Sequence, residues 1–321
     1  MFLRRAIQQL PLQYVLVFLA GLLALLRLFV FPDEGPSSSG AFPESYPHYQ
    51  VLFACLSFLL AVASAVILQL FMRQTRLVES RKYYPLMLLP LLLLLFLRAS
   101  DWFAFCFLLL LCAFCFPMLF SVYAKETYRQ NTGLLFGMLC GLFSLMYAPL
   151  AALLLFYYVL LGKHRLLNLR ALLLPVAGFG LWIFYEWFFC YLLQLPFQSA
   201  LQQRTAQFAA LGFRAPHLGW PEFMTWVLLF LLYVVVTYRM LRSLYTKNIL
   251  IREKSMLLFF LSLFFLLLFL LTPYGNPIPL CGFSSVLVMI LCEEENFMKS
   301  RFFYNLFFVL CWFLNILFFF I

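Results

Sequence analysis

The sequence predicts an all-α protein: a polytopic transmembrane helical bundle with no soluble domain. Three observations carry the prediction. The chain of 321 residues is 66% hydrophobic and only 11% charged, with mean hydropathy +0.99, which is more apolar surface than a water-soluble core of that size can hide. Its apolar runs are unbroken, as in LLPLLLLLFL (88–97) and LLFFLSLFFLLLFLLT (257–272), whereas membrane β-strands alternate apolar and polar residues. Lys and Arg are confined largely to short loops between these runs.

The elements follow in order. The start, MFLRRAIQQLPLQYVLVFLAGLLALLRLFVF, has a basic head, but its apolar run is too long for a signal peptide and lacks a small-x-small cleavage site. It is expected to be a retained first span at 11–31. Further apolar runs lie at 51–72, 84–97 and 102–122, and later ones at 171–195, 222–238, 256–272, 279–292 and 302–321. Between the two groups, 133–161 carries no charge at all. A helix needs roughly 20 residues to cross a bilayer, so this stretch is long for one crossing and short for two.

Charge decides the question. Lys and Arg accumulate on the cytoplasmic side of short loops. If 133–161 crosses twice, 18 of the basic residues fall inside and 4 outside; if it crosses once, the division is 10 against 12. The first arrangement obeys the rule, so the stretch is expected to be a hairpin. Its bend is placed in SLMYAPL (144–150), because Pro149 lacks an N–H and disfavours helix just before it. The prediction is a single membrane domain over 1–321 with about eleven helical segments, sited in the bacterial inner membrane. The N-terminus is cytoplasmic and the C-terminus periplasmic. Outer loops fall at about 32–50, 98–101, 196–221 and 273–279.

Several classes are excluded. The net charge of +10 sits in loops and forms no basic domain, so nucleic acid is not an expected partner. There is no Walker A motif, HExxH motif or Gly-rich nucleotide fingerprint. The nine cysteines lie in or beside apolar runs and read as small hydrophobes. Cys112-x-x-Cys115 has a redox spacing, but no polar neighbours in its span.

Polar residues gather on the outer face. PDEGPSSSGAFPESYPHYQ (32–50) carries Asp33, Glu34, Glu44 and His48; the next outer turn carries Arg98 and Asp101. The longest outer segment, 196–221, carries Arg204, Arg214 and His217. Within it Phe197, Leu201, Phe208 and Leu211 fall close to one helical face, the pattern of an amphipathic helix on the membrane surface. Arg27 lies near the end of its span and reads as a snorkelling side chain. Glu186, in WIFYEWFFCY (182–191), lies deeper. A carboxylate there is expected to be paired or functional, the structural alternatives being a hydrogen bond to a Tyr or Trp, or a protonated acid. On the inner face, Glu293-Glu294-Glu295 reads as a solvated run of like charge.

NTGLLFGMLCGLFSLMYAPLAALLLFYYVLLGKHRLLNLRALLLPVAGFGLWIFYEWFF (131–189) resembles the middle of the GT-C membrane glycosyltransferases. LFFLLLFLLTPYGNPIPLCGFSSVLVMI (263–290) is similar to their later pair of spans around a Pro-rich outer turn. The whole chain resembles more closely an uncharacterised family of Bacteroidota polytopic inner-membrane proteins. The GT-C resemblance implies transfer of sugar from a polyprenyl-phosphate carrier on the outer face. It implies a base or metal ligand at Asp33 or Glu34 and an assisting acid at Asp101; the cofactor is left open, a divalent cation being one that such an enzyme could take. Arg98, Arg204 and Arg214 would hold the carrier phosphate, with Glu186 and His217 in the same substrate-binding set. The first outer loop is shorter than in those enzymes, and their C-terminal soluble domain has no counterpart here. Two other readings stand beside it: a non-catalytic GT-C-like scaffold or subunit of an envelope complex, with membrane-protein partners, and a transporter of a lipid or small solute.

Overall fold

The computed structural model describes residues 47–75, 77, 88–90, 92–93, 101–122, 131–194, 196–212, 220–272 and 276–293. The expected first and last spans and most of the first outer loop lie outside these residues. Every regular element described is helical: α1 (Pro47–Gln74), α2 (Trp102–Ser121), α3 (Asn131–Met146), α4 (Ala152–Lys163), α5 (Leu169–Leu192), α6 (Phe197–Ala209), α7 (Trp220–Ser243), α8 (Ile249–Leu271) and α9 (Ile278–Glu293). Among the described residues five stretches are long and apolar enough to cross a membrane: Val51–Gln74, Trp102–Ser121, Leu169–Leu192, Val227–Thr246 and Ile249–Leu271. Helix α2 contains a π-helical turn at Leu111–Cys115, in which Cys112 and Cys115 are buried and in no disulfide.

The chain forms two compact units. The first takes its described residues from Met1–Cys112, Ala215–Phe269 and Tyr274–Ile321, the second from Ala113–Arg214 and Leu270–Pro273.

In the first unit α9 is the core, with all of its residues buried. Phe283 meets the Tyr233 ring of α7 edge-on at 5.2 Å. Gly282 lies so close to Phe265 of α8 that a Cβ there would overlap the ring. The start of α1 meets the start of α2 through stacked Phe53 and Trp102, 5.5 Å apart. Buried serine hydroxyls in this unit return to carbonyls one turn back, as at Ser64, Ser262 and Ser285, so these enter the apolar interior already satisfied. The outward stripes are different. On α7, exposed Val227, Leu231, Val234, Tyr238 and Arg242 follow at helical spacing. On α8, Leu267, Leu263 and Phe260 lead back along one stripe to Arg252.

In the second unit α3 packs on α5. Gly133, Gly137 and Gly141 form a small-residue ridge along α3. A Cβ on Gly137 would fall on the Pro175 carbonyl of α5, and one on Gly178 of α5 would fall on the Leu134 carbonyl of α3. The two backbones are in direct contact, which small residues every fourth position allow in membrane helices.

The expected hairpin is present. Helix α3 ends at Met146, Tyr147 is extended (φ −155°, ψ 109°), and a 3-10 turn, Ala148–Ala151, leads into α4. Phe136 and Tyr157, about equally far from the break, stack at 4.3 Å, so the second arm runs back along the first. The reversal falls on Tyr147 rather than on the residue before Pro149. Proline suits the first turn of a helix, so the turn begins at Ala148 and the sharp backbone change is placed just ahead of it.

Candidate functional site

In the second unit, polar groups from three segments converge where the hairpin tip meets α6. Breaking a helix leaves amides without carbonyl partners, and each must be served. Pro149 has no N–H, and the Leu150 N–H reaches the Tyr147 carbonyl at 3.0 Å. The Ala148 N–H donates to Gln207 Oε1 of α6 at 2.9 Å. The Tyr147 hydroxyl pairs with Thr272 Oγ1 at 2.8 Å, and the Gly212 N–H donates to the Leu271 carbonyl at 2.9 Å. Three segments that charge counting assigned to one side, around 144–150, 196–212 and 271–272, therefore meet.

Helix α6 spans nearly the residues expected, but its faces divide three ways. Ala200, Arg204 and Gln207 are half-buried on the protein side. Leu201 and Phe208, on the adjoining flank, are exposed, and Gln198, Gln202 and Gln203 point elsewhere into the open. A helix built this way suits the line where protein, lipid and water meet.

Glu186 of α5 has a partner. Its carboxylate Oε2 accepts from the Arg204 guanidinium of α6. The side chains are 16% and 17% exposed, so the pair is sheltered without being dry. The turn between α5 and α6 makes the pairing geometric: Gln194 takes a left-handed φ of 53°, and the chain doubles back to bring Arg204 beside Glu186. Around the pair α5 is a column of outward aromatic rings, with Trp187 stacked on Tyr191 and Phe184 on Phe188.

Asp101, in the first unit, is buried at the N-cap position of α2, and its carbonyl accepts from the Ala104 N–H at 3.0 Å. Its side chain does not cap the helix. Asp33, Glu34, Arg98, Arg214 and His217 lie outside the described residues. Of the predicted set the structure thus brings together Glu186 and Arg204. Among the described residues no group of His, Cys, Asp and Glu has metal-binding spacing.

A second charged cluster lies at the other end of the first unit, where sequence reasoning saw only a solvated acidic run. Glu293, the last residue of α9, is 2% exposed and binds Lys247 Nζ at 3.0 Å through Oε1. The Ser255 hydroxyl of α8 donates to the same oxygen. Nearby on α8, Lys254 Nζ donates to the Thr75 carbonyl at the end of α1 at 2.7 Å. The available signal was position: Glu293 follows ILC without a turn residue, so it is still inside the helix.

Comparison with protein-family models, curated proteins and solved structures finds no match to this chain.

Proposed function

We propose that the protein is a polytopic inner-membrane protein of the bacterial envelope, N-terminus cytoplasmic and C-terminus periplasmic, working as a non-catalytic subunit or scaffold of an envelope complex. The observation that carries this reading is the Glu186–Arg204 pair. Arg suits phosphate because its guanidinium can offer two parallel N–H donors to an anion. Here the guanidinium is engaged by a carboxylate of its own chain, and that carboxylate is likewise neutralised. The pair holds α6 against α5 and leaves α5 an outward aromatic face for a membrane partner. The membrane orientation rests on the distribution of Lys and Arg.

The test is complementation of a deletion strain. A glycosyltransferase of the kind the sequence resembles needs an outer acid as base or as ligand of a divalent cation, and losing a general base costs about 10²–10⁴ in rate. For a scaffold, Asp33→Asn with Glu34→Gln complements fully, and so does Asp101→Asn. Loss of function in either variant at normal expression overturns the proposal in favour of sugar transfer from a polyprenyl-phosphate donor. Reporters after Arg165 and Lys247 are expected on the cytoplasmic side and one after Gly212 on the periplasmic side. The opposite result for the Arg165 fusion removes the orientation.

A further inference from the structure

The connector between α7 and α8, with the helix turns on either side of it, presents a surface that the proposed function does not use. The outward stripe of α7 passes from aliphatic residues to Tyr238 and then Arg242. The outward stripe of α8 starts at Ile249 and Arg252 before turning wholly apolar. Both stripes therefore change character at the same end, where two candidate spans meet across a few residues. Tyr245 stands between them, 91% exposed, with Ile249 at 69% and Leu250 also outward. Lys247 and Lys254 in the same segment turn inward, to Glu293 and to the Thr75 carbonyl, whereas Arg242 and Arg252 are exposed.

We infer that Arg242, Tyr245 and Arg252 form a binding site for the headgroup of an anionic phospholipid in the leaflet on the connector's side. The chemistry is matched at each level. Two guanidinium groups on either side of the tyrosine bring two positive charges to a phosphodiester and its anionic neighbours, and it is this charge that they supply. Tyrosine is at home at the boundary between headgroups and hydrocarbon, where its ring is apolar and its hydroxyl wet. Ile249 and Leu250 reach into the acyl region beside it. The first turn of α8 adds the positive end of its dipole on the same side. A zwitterionic lipid offers the same apolar contacts but cancels its phosphate with a choline, so the selectivity is for net negative charge.

The inference rests on the membrane placement proposed above, and extraction of membranes with alkaline carbonate tests that placement separately. The binding experiment uses the full-length protein in nanodiscs of phosphatidylglycerol and phosphatidylcholine in equal amounts. After transfer to detergent, retained lipid is counted by native mass spectrometry. The wild type is expected to retain phosphatidylglycerol preferentially. Each cation near an anionic surface contributes roughly 1 kcal/mol, about fivefold, so Arg242→Gln with Arg252→Gln is expected to lose roughly 30-fold of the preference. Arg242→Lys with Arg252→Lys keeps the charge and retains most of it, which covers the case in which the glutamine variant is poorly folded. Arg165→Gln with Arg170→Gln removes the same charge from the second unit and is expected to leave the preference intact. Wild-type retention in the folded glutamine variant overturns the inference. So does an equal loss in the Arg165/Arg170 control, or loss in the lysine variant.

Discussion

Gly137 gives the sharpest test of how α3 and α5 are joined. An alanine there places a Cβ on the Pro175 carbonyl, 2.7 Å from the carbonyl carbon and 2.8 Å from the Pro175 Cα. These are backbone atoms, so no side chain can swing away. Restoring an ordinary contact with the carbonyl oxygen, the nearest of these atoms, requires the helices to part by more than about 1 Å at their crossing, and overpacking of that kind costs about 1–3 kcal/mol. Alanine recovers up to about 1 kcal/mol of helix propensity, so the net loss is about 1 kcal/mol and reaches about 2 kcal/mol where the helices yield least. Gly180, two residues beyond the crossing on α5, has nothing within 4 Å of its Cβ position. Gly180→Ala therefore gains up to about 1 kcal/mol from propensity alone. The expected order of thermal stability in detergent is Gly180→Ala, then wild type, then Gly133→Ala, whose tightest Cβ contact is the Pro175 ring at 3.3 Å. Gly137→Ala and Gly178→Ala come last. Equal melting temperatures for Gly137→Ala and Gly180→Ala would refute the reasoning, because both have the same chemistry and only one has the contact.

Two further outcomes follow from the charged pairs. Glu186→Gln and Arg204→Gln are each expected to lower stability by about 1–3 kcal/mol, between the values for exposed and buried pairs; the exchange Glu186→Arg with Arg204→Glu should recover most of it in the same melt, and no loss in either single variant would show that the pair is idle. Glu293→Leu removes the buried carboxylate that Lys247 Nζ and the Ser255 hydroxyl reach and is expected to cost about 1–3 kcal/mol, whereas adding Lys247→Met is expected to restore part of the stability. An unchanged melt in the single variant, or no recovery in the double one, counts against that cluster.

Much of the helical layout was legible because hydrophobic runs and charge obey simple rules. The break in 133–161 came from Pro149 and from charge counting, and the chain does turn back at Tyr147. The helix ends were less legible. The run expected at 222–238 is part of a helix, Trp220–Ser243, and all but the last residue of 256–272 falls within Ile249–Leu271. Hydropathy marks where lipid ends, but a helix continues past that point as long as its own hydrogen bonds are satisfied. The π-helical turn at Leu111–Cys115 left no trace in an evenly apolar sequence. Glu186 was recognised as needing a partner, since a lone carboxylate is costly in hydrocarbon. That the partner is Arg204 depends on the turn at Gln194, which spacing alone does not reveal. Glu293 was missed because its two acidic neighbours made it look like a solvated run, when only its place at the end of a buried helix distinguishes it.

The enclosure of α9 has a consequence for biosynthesis. Translation delivers α1, α2, α7 and α8 before the helix around which the first unit is organised. Until residue 293 has left the ribosome, those earlier helices can be inserted but cannot reach their final packing, because the place at their centre is empty. Insertion and assembly are separable stages for membrane helices, and here the second stage waits on one of the last segments described. Nascent chains arrested before Ile278 should accordingly remain sensitive to protease and dependent on insertase or chaperone contact. Chains arrested well beyond Glu293 should lock, so the late helix acts as the keystone that ends the period of vulnerability.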